Sequence, residues 1–180
     1  MIKHIFSLPI VCSITLFSCL SIAETNDSPY MGMQYAFGDI GVADLSESFE
    51  PTTLVGRVGR YFRKHYAVEG RIAFPLRDDT KTISGTETSV GLFGLLGAYG
   101  AAHLNLGERF SFYGIAGLTL AALEIGTPAA SDSDSKLGLS YGIGADIDVG
   151  ITILNIEYIS YLDDESVDFD ALGIGLKIIF

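Results

Sequence analysis

The amino-acid sequence predicts an all-β fold, an eight-stranded antiparallel up-and-down β-barrel that spans a membrane. Three observations predict it. Apolar side chains alternate with small or polar ones along much of the chain, which is 48% hydrophobic. The alternating segments number eight, and most are close to the ~9–11 residues that a tilted strand needs to cross a bilayer. Short turns and longer loops follow one another in alternation between these segments, as in membrane barrels.

Residues 1–23 precede the predicted barrel and have the features of a secretory signal peptide. A basic start is followed by the mostly apolar residues 5–20 and by a small-residue cleavage site that ends at Ala23. Both cysteines of the chain lie in this segment. We therefore expect an exported domain of residues 24–180 that has no disulfide and no cysteine-based metal site.

The first four strands follow from patterns in the first half of this domain. The strand at 29–38 alternates Met, Met, Tyr and Phe with Gly, Gln and Ala. The strands at 52–62 and 66–75 alternate aliphatic residues with charged or small ones on either side of the short turn 63–65. The segment 88–104 is apolar and rich in glycine, and the short turn 105–108 that follows it favours a strand.

The last four strands complete the even number that a membrane barrel needs. The segment 109–121 contains aromatic residues interspersed with glycine and is interpreted as a strand paired with 88–104. In 137–149 every odd position is apolar or aromatic and every even position is Gly, Ser or Asp. A helix with one apolar face cannot have this period of two. The same period of two predicts strands at 151–161 and at 170–180.

The charge of the chain is strongly negative and is concentrated in the long connections. The sequence has 22 acidic and 11 basic side chains, a formal net charge of -11, which argues against nucleic-acid binding. Carboxylates could bridge divalent cations to lipopolysaccharide, or they could simply be solvated. No fixed ligand spacing appears, and we predict neither a metal site nor a cofactor. The acidic residues of the four connections are Asp39, Asp44, Glu47, Glu50, Asp78, Asp79, Glu124, Asp132, Asp134, Asp163, Asp164, Glu165 and Asp168.

Seven other charged residues fall on the side of the strands that is predicted to face the barrel interior. Eight strands enclose an interior that side chains can fill, and charges buried there need partners. We expect the two arginines to pair with the two glutamates, and Lys177 with an acid of the 151–161 strand or of a strand beside the first. A structural charge network is the preferred interpretation, and a gated ion path is the alternative. The seven residues are Arg57, Glu69, Arg71, Asp146, Asp148, Glu157 and Lys177.

Two stretches resemble the small eight-stranded outer-membrane barrels of the OmpA-like, OmpX and opacity-type family. Residues 55–71, VGRVGRYFRKHYAVEGR, resemble the second hairpin of that family. Residues 175–180, GLKIIF, resemble the C-terminal assembly signal of such barrels, with Gly175 and the terminal Phe180 in place. Ile178 stands where many members have an aromatic residue. The resemblance implies a bacterial outer-membrane location, contact with outer-membrane lipid and lipopolysaccharide, and insertion by the barrel-assembly machinery.

The predicted role is that of a monomer with a structural or cell-surface interaction function, exerted through the acidic loops. We do not predict an enzyme. A serine nucleophile needs a histidine to take its proton, and residues 24–180 offer His65 and His103, both at the predicted periplasmic side. Lipid A deacylase barrels have a serine two residues after the histidine, whereas position 105 here is asparagine.

Three alternatives remain open from the sequence. A narrow channel for ions or small solutes would use the same barrel. An inner-membrane protein would place helices at 88–104 and 110–124, where glycines recur at small-residue spacing. A soluble periplasmic lipocalin-like barrel would turn the apolar side chains inward and leave residues such as Arg57 and Glu69 outside.

Overall fold

A computed structural model of the protein describes residues 28–42, 45–63, 65–77, 79–83, 86–127, 130–164 and 167–180. Within these residues the chain is almost entirely strand, and ten strands form one antiparallel sheet. The predicted signal peptide, residues 1–23, lies outside the described residues. The strands are β1 (Pro29–Val42), β2 (Leu45–Phe49), β3 (Thr52–Phe62), β4 (Tyr66–Arg77), β5 (Asp79–Ile83), β6 (Thr86–Leu106), β7 (Phe110–Thr127), β8 (Ala130–Asp148), β9 (Ile153–Asp164) and β10 (Val167–Ile179).

The sheet closes into a barrel because the first and last strands pair. β1 and β10 are antiparallel partners from Tyr30 opposite Ile179 to Val42 opposite Val167. Apart from the short β2, which pairs with β1, and β5, which pairs with β6, the strands follow one another around the barrel. Eight strands therefore form the wall, and the predicted fold class is confirmed. A closed wall leaves no unpaired strand edge, as lipid requires.

The two ends of the barrel differ. Three short turns, which follow β3, β6 and β8, lie at the same end as the start of β1 and the end of β10, and we call it the short-turn end. Gly107 and Gly150 have φ angles of 76° and 110°, a left-handed backbone that glycine adopts without steric cost. The opposite end is called the loop end.

The connections at the loop end contain more strand than the sequence predicted. β2 and β5 occupy parts of the predicted loops 39–51 and 76–87, and β7 and β8 stay paired up to Thr127 opposite Ala130. Apolar alternation does not mark these extensions, because strand pairing outside a membrane needs no apolar face. The barrel wall therefore continues beyond the predicted strand ends.

Large apolar side chains cover the outside of the barrel. On β8 the alternate residues Leu139 and Ile143 are 73% and 69% exposed, while Ser140 between them is buried. The predicted faces of 67–74 and 137–147 are confirmed. A soluble binding barrel has polar residues outside and apolar residues inside, and this barrel has the reverse arrangement. The lipocalin-like alternative is therefore not favoured.

The alternative with membrane helices is wrong. Residues 88–104 belong to β6 and residues 110–124 to β7, and the two strands pair from Ser89 opposite Gly126 to Leu106 opposite Phe110. In the part of the chain that the structure describes, no helix has the length and apolar character to cross a membrane.

Candidate functional site

Six of the seven predicted interior charges lie inside the barrel, in the half nearer the short-turn end. Alternation along each strand turns them inward, because their sequence neighbours face the outside. Each is at most 5% exposed. They are Arg57 on β3, Glu69 and Arg71 on β4, Asp146 on β8, Glu157 on β9 and Lys177 on β10.

Arg57, Glu69, Arg71 and Glu157 form one buried ion-pair group, which we call the four-charge cluster. Arg57 donates to both carboxylate oxygens of Glu69, from Nε at 3.0 Å and from Nη2 at 2.9 Å. Arg71 donates from Nε to Glu69 at 2.6 Å and from its two terminal nitrogens to Glu157 at 2.5 and 2.7 Å. Two cations and two anions cancel, which removes the unpaired charge that burial would penalise most.

Three polar residues that the sequence did not lead us to assign to the charge network complete this cluster. The Tyr30 hydroxyl donates to Glu69 at 2.5 Å, and the Tyr113 hydroxyl donates to Glu157 at 2.6 Å. Asn155 accepts a hydrogen bond from Arg57 Nη1 at 2.6 Å. Their inward positions in the strand alternation were the signal that could have identified them.

Lys177 pairs with Asp146, so the expectation of a partner on the 151–161 strand or beside the first strand is wrong. The two residues belong to β10 and β8, which are not neighbours, and they meet because the interior of so small a barrel is narrow. Lys177 Nζ also lies 5.5 Å from the ring centre of Tyr30 and 5.2 Å from that of Tyr113. These aromatic faces stabilise the buried ammonium further.

Asp148 was predicted to point into the barrel, and this prediction is wrong. The residue is exposed at the end of β8, where the chain turns. Its Oδ1 atom accepts a hydrogen bond from the Gly150 backbone nitrogen at 2.7 Å. Alternation stops being informative where the strand ends, and the carboxylate stabilises the turn instead.

Apolar side chains line one side of the interior nearer the loop end. Four side chains on neighbouring strands lie opposite one another in register, and none is more than 2% exposed. They are Phe49 on β2, Ile40 on β1, Phe169 on β10 and Leu162 on β9. The Tyr161 ring lies 5.2 Å from that of Phe169. We call the four in-register residues the apolar row. They make this part of the interior apolar.

A chain of hydroxyl groups contributes to the filling of the interior. Tyr99 bonds Thr119 at 2.6 Å, Thr119 bonds Ser140 at 2.5 Å, and Ser140 donates to the Tyr161 carbonyl at 2.9 Å. Among the described residues, no buried side-chain nitrogen or oxygen lacks a hydrogen-bond partner. The polar interior is therefore satisfied without an added ligand.

A cavity of about 540 Å³ opens at the short-turn end, and Tyr61, His103, Ser111 and Asp146 are among its lining residues. Ser111 Oγ lies 3.3 Å from His103 Nδ1, and Asp146 Oδ2 lies 3.9 Å from the same nitrogen. A catalytic triad needs its serine and its acid on opposite ring nitrogens. This arrangement does not meet that requirement. The sequence analysis did not identify Ser111, because the hairpin brings it to His103 from β7. His65 is exposed just before β4.

The predicted assembly signal lies on β10 and at its end. Gly175 packs so closely against β1 that an added Cβ would collide with the Met33 carbonyl oxygen and the Gln34 Cα atom. Ile178 faces outward, and Phe180 is 66% exposed while its backbone nitrogen donates to the Pro29 carbonyl at 2.9 Å.

Acidic residues mark the loop end. Among the predicted loop acids, Asp39, Glu50, Asp163 and Asp168 are exposed. Within the described residues, no group of three or more histidine, cysteine, aspartate or glutamate side chains is arranged to hold a metal ion. Cation bridging to lipopolysaccharide stays one of the two interpretations of these carboxylates, beside solvated loops. Asp44, Asp78 and Glu165 lie outside the described residues.

The barrel is closed by eight strands, its outer surface is apolar, and its interior contains paired charges. These features define a membrane-spanning β-barrel of the bacterial outer membrane. The chain belongs to the outer membrane protein beta-barrel domain family, whose sequence model matches residues 10–180. The family and location that the sequence resemblance implied are confirmed. No curated protein matches the chain.

Solved structures support the same fold. Neisserial surface protein A (NspA) is 16% identical with a TM-score of 0.67, and the match covers 87% of this chain and all of that one. Ail, the attachment invasion locus protein of Yersinia pestis, has the same identity and coverage with a TM-score of 0.61. The outer membrane protein OprG of Pseudomonas aeruginosa is 14% identical, with a TM-score of 0.56 and coverage of 86% and 95%.

Proposed function

We propose that the protein is a monomeric outer-membrane barrel with a structural or cell-surface interaction role, exerted through its acidic loop end and not through catalysis. The filled interior carries this proposal. The four-charge cluster and the apolar row fill the interior with paired charges and apolar groups at two levels, which supports a filled barrel over the narrow channel. Short turns of outer-membrane barrels face the periplasm, so the loop end faces the surroundings of the cell.

The charge distribution supports a role at the loop end. The six interior charged residues are three basic and three acidic, so their charges cancel. The net negative charge of the chain therefore comes from residues outside the barrel interior. A negative outer face attracts basic partners and repels anions. Ail of Yersinia pestis has been solved in complex with the heparin analogue sucrose octasulfate. That ligand is anionic, and we do not expect the loop end of this protein to bind it.

Replacing Asp163 and Asp168 together by asparagine is expected to weaken the attachment of intact cells displaying the protein to a basic surface such as immobilised polylysine. Both side chains are exposed at the loop end. The loss should be several-fold at low ionic strength and should disappear in high salt, where surface charges are screened. Retention of cells under flow measures it.

The matched control replaces Glu108 by glutamine and Asp148 by asparagine, two exposed acids of the short-turn end. Cells carrying this variant should attach like cells with the native protein, because the short-turn end faces the periplasm. Equal retention of the native and the loop-end variant would contradict a role for the acidic loop end.

The proposal includes export and assembly. Processing after Ala23 would release the barrel domain into the periplasm, and the barrel-assembly machinery would then recognise residues 175–180 and insert the barrel among lipid and lipopolysaccharide. The exposed Phe180 side chain supports this step, since it is accessible from outside the barrel.

Replacing Phe180 by alanine is expected to reduce the amount of folded barrel in the outer membrane several-fold. The stability of the barrel that does assemble should change by no more than about 1 kcal/mol, because the side chain is not packed in the interior. The heat-dependent gel mobility of outer-membrane fractions measures both quantities. Val149→Ala, at another exposed apolar residue of the same end, is the control and should assemble normally. Normal assembly of the Phe180 variant would argue against a terminal signal.

A further inference from the structure

The lipid-facing surface has two unequal halves. On four neighbouring strands, β4, β6, β7 and β8, outward apolar or glycine residues continue over 66–76, 96–106, 110–120 and 137–149. On the other four, β9, β10, β1 and β3, they continue over 154–158, 172–180, 31–37 and 54–58. We call the first set the wide half and the second set the narrow half.

The two halves differ in hydrophobic height. A strand rises about 3.3 Å per residue and is tilted by about 40° in such barrels, which gives about 2.5 Å of membrane depth per residue. The outward segments of the wide half therefore span about 25–30 Å and match the ~25 Å band of outer-membrane barrels. Those of the narrow half span about 10–20 Å.

Carboxylates fix the upper limit of the narrow half. Asp39 follows the outward residue Phe37 on β1, and Asp170 lies directly opposite Asp39 on β10. The Tyr158 hydroxyl, which lies at the end of the apolar segment of β9, donates to Asp170 at 2.8 Å. Charged groups on the lipid face are costly within the hydrocarbon, so this level must contact head groups or water.

Tilting the barrel cannot remove the difference, because a tilt moves both limits of one half in the same direction. The membrane must adapt instead, by becoming thinner where the apolar band is short. We propose that the narrow half is a lipid-interaction surface that holds a thinned bilayer, and that it favours lipids with short acyl chains. The inference rests on the membrane location of the barrel and is independent of the proposed role of the loop end.

The test measures stability against bilayer thickness. The purified protein is reconstituted into phosphatidylcholine vesicles with acyl chains of about 14 to 20 carbons, and the half-time of unfolding is followed by gel mobility. The native half-time should be longest in the thinner bilayers. Replacing Asp39 and Asp170 by leucine lengthens the narrow band, and unfolding in the thickest bilayer should become about tenfold slower than for the native protein.

Two controls separate band height from other effects. Replacing the same two residues by asparagine removes the like charges that face each other but keeps the position polar, so any gain should be the same at every thickness. Replacing Glu50 and Glu108, which are exposed outside the lipid-facing segments, by leucine should leave the preferred thickness unchanged.

Three outcomes would overturn the proposal. The first is a native half-time that is longest at 18 carbons or more, which decides the question even if the leucine variant does not fold. The second is a leucine variant whose half-times remain parallel to those of the native protein. The third is a half-time that rises with protein density in the vesicles, since a second copy would then cover the narrow half.

Discussion

Replacing Glu69 by glutamine is expected to lower the free energy of unfolding by about 3–5 kcal/mol, the cost of breaking a buried ion pair by removing one partner. Glu69 accepts hydrogen bonds from Arg57, Arg71 and Tyr30, and its carboxylate compensates two guanidinium groups. The neutral amide leaves the four-charge cluster with an excess positive charge, and its NH₂ group would face donors. Equilibrium unfolding of the folded barrel in denaturant measures the loss.

A double variant tests whether charge balance is the cause. Replacing Arg57 together with Glu69 by glutamine restores neutrality, so part of the loss should be recovered. Glu108→Gln, at an exposed residue of the turn 107–109, is the control and should change stability by less than about 0.5 kcal/mol. Unchanged stability of the Glu69 variant with altered ion conductance would support the gated ion path in place of a structural network.

The sequence was informative about the fold because lipid imposes a simple rule on it. Each wall strand must alternate between a lipid face and an interior face, so inward residues such as Arg57 and Glu157 could be identified one strand at a time. Ion-pair partners within one hairpin could also be predicted from the sequence, since Arg57 on β3 reaches Glu69 on β4. The pairing of Lys177 with Asp146 depends on which residues meet across the lumen, and alternation along a single strand does not carry that information.

Alternation along single strands could not predict the apolar row at the loop end. Phe49 and Ile40 fall in a segment that the sequence analysis assigned to a loop, because the acidic residues around them interrupt the apolar pattern. Their burial depends on β2 folding back onto the extension of β1 and on the register with Phe169. Register across three strands is a property of the closed barrel, so the apolar row becomes visible only in the assembled fold.

The apolar row leads to the second large expected effect. Replacing Phe169 by alanine should lower the free energy of unfolding by about 3–5 kcal/mol, the range for removing a buried phenyl ring from a packed core. Phe169 is 1% exposed, lies opposite Ile40 and Leu162, and packs against Tyr161. Because the barrel wall is held by its strand pairing, it cannot collapse into the vacated space. Denaturant unfolding in lipid vesicles measures the change.

Phe37→Ala supplies the matched comparison, since Phe37 is another phenylalanine near the loop end but faces outward and is half exposed. Acyl chains can fill the space that this variant leaves, so its loss should be clearly smaller than that of Phe169→Ala. Phe169→Leu should lower the stability much less than Phe169→Ala, because it leaves a smaller cavity. Equal losses at positions 37 and 169 would mean that the apolar row is loosely packed and does not form a core at the loop end.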